Sequence, residues 1–439
     1  MRRARILAIL FLVAASFGGP SPAVAQTAPP AGQGLQSADA NTRARAVRQL
    51  GVAGDPAAVP TLAGMINDPS ETVRREVVLA LASLRVPQSL DPLITATRDS
   101  DEKVQVLAVQ GLAGYYTGQS PPAGFTGFWK RAWRKAKSRF VEENVRIDPG
   151  VAVDPKVIAA LVAVLNDTRS LEPSRRAADS LGMLVAKTAV PDLIKAANSS
   201  DPELAVEALN ALAKIRDVAA GPQLINLLDH EDKDVKRQAA VTVGILRTKE
   251  ALPKLQSMHA NNPDRGVREK ALEGLAYLGS PLSAPLFVKA LWSPEKKLRV
   301  LGAEGLARAR EASTLPDLEK AVQVEKDAEA RLAIEFAITA LGKADYLSAL
   351  VKELGSTLRG NAAQAYLTEL AHDASFLPRL YPYLASPDRD VRRRLCTVLM
   401  FAGDASSVEP LERLSRDPSE DVAGEALRAL RAVRQRPSP

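Results

Sequence analysis

The chain is short of the residues that usually do chemistry: one cysteine, three histidines and an aromatic content of 4% across 439 positions. A single cysteine, Cys396, excludes an intrachain disulfide whatever the redox compartment. It sits in "VRRRLCTVLM", at a helical position filled elsewhere by Val78, Ala240 and Leu272, and so reads as core rather than as nucleophile or metal ligand. His230, His259 and His372 are dispersed, whereas a metal centre needs three or four ligands brought together. There is no glycine-rich phosphate loop, no serine elbow and no Cys/His pair. The acidic run "DHEDKD" (229–234) reads as solvated helix caps rather than as a calcium loop. No stretch alternates apolar and polar residues, which excludes a sheet. Nothing here nominates a catalytic residue, a cofactor or a metal, and the reading is of a non-enzyme.

What is present begins with a leader-like N-terminus. Arg2, Arg3 and Arg5 precede the apolar run "ILAILFLVAASFGG", and "PSPAVA" places Ala23 and Ala25 before Gln26 as small residues of a cleavage site. The pattern predicts a signal peptide over 1–25 and export to the periplasm or the extracellular space, with an uncleaved anchor as the alternative. No cysteine follows the run to accept a lipid. "QTAPPAGQGLQS" (26–37) has the composition of a flexible tether. The formal charge of +7 is local in origin. The leader carries three of these charges and residues 130–139 carry six cations, so the remaining body is slightly acidic.

The rest is internally periodic. Small or apolar pairs four apart recur as Ala46/Leu50, Val77/Leu81, Ala108/Leu112, Ala177/Leu181, Ala208/Leu212 and Ala239/Val243, and on to Ala426/Leu430. Successive second members lie 31 apart, except for steps of 32, 29, 33 and one of 69. Prolines keep step, from Pro60 and Pro92 through Pro191, Pro222, Pro253, Pro285 and Pro316 to Pro378 and Pro410. Each unit reads as two helices, the first typified by "VRREVVLALASL" (73–84) and the second by "AVPDLIKAANSS" (189–200), with proline in its first turn. Turns such as "NDPSE" and "ASPDRD" end one helix and cap the next. One hairpin cannot bury its own apolar face, so the units must stack. The final "EDVAGEALRALRAVRQRPSP" holds a first helix without a second, a half-repeat cap.

The segments "DPSETVRREVVLALASL", "DRGVREKALEGLAYLGS" and "DRDVRRRLCTVLMFAGD" resemble the HEAT-like repeats of phycobilisome-lyase-type proteins. The resemblance spans most of 38–435. It implies an all-α, right-handed α-solenoid of about eleven to twelve helical hairpins, with repeats over 38–117 and 151–435. It also implies that Arg43, Arg74, Lys236, Arg268, Arg299, Arg359 and Arg392 form a structural ladder with the aspartates of the inter-repeat turns rather than a binding ladder. Di-iron hydroxylases built on this repeat carry several His-Glu pairs; this chain has one, His230-Glu231. The repeat fixes no activity by itself.

The step of 69 marks an insert, 118–150, in the turn inside the third repeat. On a helical wheel Phe128, Trp129, Ala132, Trp133, Ala136 and Phe140 fall within an arc of about 140°, with Lys130, Arg131, Arg134, Lys135 and Lys137 opposite. Such a basic amphipathic helix folds back on its own array, lies on an anionic membrane surface, or docks on an acidic protein. An exported chain has little occasion to meet nucleic acid. In the array itself, the second helices are expected to line the concave face of an elongated molecule. Phe287, Trp292, Phe376, Tyr381 and Tyr383 are the aromatics offered there to a protein partner. The expected function is therefore an exported, non-catalytic scaffold. A membrane-surface adaptor docking through 127–140 is the alternative, and a lyase or hydroxylase of the HEAT-like kind is the remaining one.

Mass spectrometry of the native protein is expected to find its N-terminus at or near Gln26; a cytoplasmic pool retaining Met1 contradicts export.

Overall fold

The computed structural model describes residues 34–118 and 146–436, apart from Thr168. The predicted leader, most of the tether and the whole of the 127–140 helix lie outside the described residues. Those described form helices and turns only, arranged as eleven hairpins and a final single helix, Glu420–Arg434. The chain is an all-α solenoid.

The first helices are the regular members. They run from Ala40–Ala53 and Glu71–Leu84 through Lys233–Ile245 and Arg265–Leu278 to Arg389–Ala402, mostly 13 or 14 residues long. Their starts are fixed by aspartates: Asp39, Asp101, Asp201, Asp264 and Asp388 each accept hydrogen bonds from backbone N–H groups in the first turn. The second helices are shorter and follow a 3₁₀ turn, as in Leu90–Ala96 and Val190–Ala197. Two of them, Val218–Asp229 and Tyr381–Ala385, are 3₁₀ throughout. Pro222 inside the one and Pro382 inside the other remove a backbone donor.

The ladder is structural, as expected, and more elaborate than a row of ion pairs. Arg74 Nε and Nη2 donate to Asp99 at 2.7 and 2.8 Å, while its Nη1 donates back to the carbonyls of Asp68 and Pro69 at 2.9 and 3.4 Å. One guanidinium thus clamps the turn before its helix to the turn after its repeat. Arg43 with Asp68, Arg299 with Glu325 and Arg392 with Asp417 repeat the arrangement. Each of these carboxylates also caps a backbone N–H two residues on, in Ser70, Asp327 and Ser419 respectively. Arg268 keeps the carbonyl half alone, because Ser293 stands where a carboxylate would be. Arg359 pairs backwards with Glu353, where the repeat is two residues short. A second ladder was not foreseen. One residue further along, Arg75, Arg175 and Arg237 reach the N-cap aspartates Asp101, Asp201 and Asp264 of the following repeat.

The expected curvature is corrected. First helices pack directly on one another along the array, whereas second helices hardly meet. Small residues permit this approach: a Cβ on Gly244 would stand 2.2 Å from the carbonyl oxygen of Gly274 in the next first helix. Around repeat nine even alternate first helices touch. Arg308 in Lys296–Ala309 forms a bidentate pair with Glu369 in Gly360–Ala371, and Tyr366 donates to Glu304 at 2.6 Å, both skipping a repeat. The helix between them, Ala328–Ala340, is buried on every side from Leu332 to Thr339. Alternate layers approach only on the inside of a bend, so the first helices, not the second, form the concave wall. The bend brings the far end round: Arg428 of the last helix grips Asp148 at 2.8 Å, 280 residues away in sequence. The array curls back on itself instead of extending.

Arg74→Met is expected to cost about 3 kcal/mol in chemical denaturation, because Asp99 is left nearly buried without its partner. Arg48→Met, at an exposed guanidinium, should cost under about 1 kcal/mol. Asp68, Glu325 and Asp417 are held below their ordinary values. Hydrogen bonds from Arg43 and Arg392 do this at Asp68 and Asp417; at Glu325 burial pushes upward, and the bond and charge of Arg299 together with the backbone N–H groups of Asp327 and Lys326 outweigh it. A depressed carboxylate contributes fully above its unfolded pKa and loses that contribution below it. Stability should therefore fall as the pH drops below about 4.

Candidate functional site

Two surfaces carry organised charge. On the concave wall, the fully buried charged residues among those described are Asp179, Glu273, Glu304 and Glu335, all two positions beyond the repeat's small residue. None is left alone. Asp179 accepts from Lys214 at 2.8 Å, Glu273 from Lys270 at 2.9 Å and Glu335 from Arg331 at 3.1 Å. Glu304 takes the Tyr366 hydroxyl and Arg308, whose guanidinium also lies 4.6 Å from the Tyr277 ring centre. Tyr366 stacks on Phe336 with ring centres 4.4 Å apart. Nearby Glu207 is pushed up to about 7 by burial and by Asp179. This wall is a set of closed pairs that fixes the register of the bend.

The second surface is the edge where first helices turn into second ones. Five non-glycine residues among those described have positive φ, and four are arginines: Arg85, Arg216, Arg247 and Arg310, with φ from 49 to 58°. Each sits at the C-terminal end of a first helix, where Gly54 and Gly279 occupy the same position in other repeats. A left-handed conformation costs an L-residue about 1–2 kcal/mol, and the helix dipole returns only about 0.3–1 kcal/mol to a cation there. Glycine would be the better residue for folding alone. Arg216, Arg247 and Arg310 are exposed.

The returning end adds to this edge. Arg436 donates to the carbonyls of Met400 and Gly403, and Arg146 lies 4.7 Å from the ring centre of Phe401. Between them is a cavity of about 480 Å³ whose walls include Ile147, Val153, Ile158, Leu184 and Phe401. His372 faces this junction: burial, then Arg216, Arg436 and Arg146, hold its imidazole below the ordinary value against the pull of Glu369.

The aromatics expected on a concave face are dispersed by the structure. Phe287 is 0% exposed, filling the space that Gly302 and Gly305 leave in the next first helix; a Cβ on Gly305 would come within 2.5 Å of its ring. It is core, not a partner contact, and the two glycines opposite were the readable sign. Phe376 is also buried. Tyr381 and Tyr383 are half-buried against the core, with the Tyr381 hydroxyl 2.6 Å from Ser406 Oγ. Trp292 is 48% exposed beside Val324, on the convex side. Phe128, Trp129, Lys130, Arg131, Trp133, Arg134 and Lys135 lie outside the described residues. Cys396 is core, with burial pushing its thiol up to about 12. His230 caps the N–H of Asp232, and His259 meets the carbonyl of Arg268 at 3.0 Å. No group of three metal-ligating side chains converges among the described residues. No helix among them is long and apolar enough to cross a membrane. The arginine edge was missed because a positive φ leaves no mark on a residue other than glycine.

Stacked hairpins with capped first helices and clamped turns define a helical-repeat solenoid. The chain belongs to the HEAT repeat family: the HEAT repeat profile matches residues 28–113, 158–241, 190–276, 221–301 and 252–339, more than half of its length. No curated protein matches it. Among solved structures, it is similar to an engineered protein at 19% identity, over 91% of this chain and 97% of that one, with a TM-score of 0.38. Human deoxyhypusine hydroxylase matches at 23% identity over 56% and 82%, with a TM-score of 0.28. The complex of CpcE and CpcF of phycocyanin lyase from Nostoc sp. PCC7120 matches at 18% over 75% and 100%, with a TM-score of 0.27. None of the three supports an activity for this chain.

Arg216→Gly and Arg247→Gly are each expected to leave the melting temperature unchanged or to raise it, by up to about 1 kcal/mol of stability. Arg308→Gly, which strands Glu369 and leaves Glu304 the Tyr366 hydroxyl but not the Arg308 cation, should cost more than about 3 kcal/mol.

Proposed function

We propose that this protein is an exported, non-catalytic scaffold that holds a protein partner on its solenoid surface. The observation that carries the reading is the arginine row kept in a conformation that glycine would adopt at less cost. Arg216, Arg247 and Arg310 carry this local cost, are exposed and form no ion pair among the described residues, which suits them to contacts outside the fold. The alternative, a membrane-surface adaptor, draws on the ring-and-cation pattern of 127–140 and on anionic headgroups as its partner.

Proximity crosslinking in the native envelope, with the whole chain and with 118–150 removed, separates the two. A scaffold recovers the same partner with both chains. An adaptor loses its partner with the insert, together with sedimentation on phosphatidylserine vesicles.

A further inference from the structure

We propose that the edge running from repeat five to repeat eight, with Arg216, Arg247 and Arg310, is a docking surface for an extended acidic segment of a protein partner. This rests on the scaffold reading and gives the partner its chemistry. The three arginines occupy equivalent left-handed positions, are exposed, and make no ion pair among the described residues. Acids do lie close by, but they are spoken for. Glu369 is held by both nitrogens of the Arg308 fork, at 2.8 and 2.9 Å, and Asp373 is held by the backbone and hydroxyl of Ser375. The local excess of positive charge is therefore not neutralised within the fold.

The row also has a pitch and a curve. Neighbouring packed helices stand about 8–10 Å apart, close to three residues of an extended polyproline II chain at about 3.1 Å each, in which every third side chain returns to the same side. A carboxylate at every third position would meet Arg216 and Arg247, pass Gly279, and meet Arg310. Each guanidinium can take a carboxylate through two parallel N–H donors. Arg216 and Arg247 both act on Glu369 of repeat ten, so the row bends round the inside of the closing array. A peptide can follow that bend; a bilayer surface cannot.

The test uses the full chain and fluorescence anisotropy with a labelled peptide carrying glutamate at every third of twelve positions, serine elsewhere. Wild type should bind it, and Arg216→Gly/Arg247→Gly/Arg310→Gly should bind at least about tenfold more weakly while melting no lower. A matching lysine peptide should not bind. Should the glycine variant melt lower, the corresponding Arg→Asn variant, tolerated at positive φ, must show the same loss. Equal affinity in variant and wild type overturns the proposal. So does triple-variant loss of phosphatidylserine-vesicle binding with the peptide unaffected. Undiminished crosslinking of the native partner by the triple variant overturns this surface and leaves the scaffold standing; a wild-type chain that crosslinks no partner overturns both.

Discussion

The structure depends on a guanidinium that holds two turns at once. Arg74 takes carbonyls of the turn before its helix and the carboxylate of the turn after its repeat, and that carboxylate caps the next helix's approach. Stacked hairpins contact only their neighbours, so small errors of register between layers would add up along the array. Apolar packing is too unspecific in direction to prevent this. A planar fork with fixed donor directions supplies the missing orientation. Where the fork is absent, other side chains bond the same turn: Gln105 donates to the carbonyl of Asp99 and Ser174 to that of Asp167.

With the turns clamped on one edge, curvature is decided at the first helices. Glycine and alanine at their contacts let them close up, while the shorter second elements splay. The bend is tightest at Ala328–Ala340, whose residues are apolar on nearly every face, and the concave wall there must then bury charge. Glu304, Arg308, Tyr366 and Glu369 do so only because each finds its partner across the skipped repeat. A buried pair of this kind adds little net stability but tolerates no other arrangement, which suits it to fixing a bend.

The same closure gathers the opposite edge. Residues from five separate parts of the chain, around 146, 216, 247, 308–310 and 372, face one another because the array curls. An edge of cations that would be spread thinly along an open solenoid becomes a local field, strongest where the last helix returns.

The sequence by itself determined the repeat, its length, its helical pairs, the capped turns and the final half-repeat. These are local matters, settled by helical spacing, by aspartate before a first turn and by proline within one. The resemblance to HEAT-like repeats also implied a structural ladder, and Arg43, Arg74, Arg299 and Arg392 each meet an acid 25 or 26 residues on. Only the tertiary structure decided which helices line the concave face, because that turns on how closely glycines let neighbours approach. It moved Phe287 from surface to core for the same reason. The arginine edge was equally out of reach: an arginine at positive φ reads like any other, and its companions from the two ends of the array meet only through the sum of many small rotations between layers.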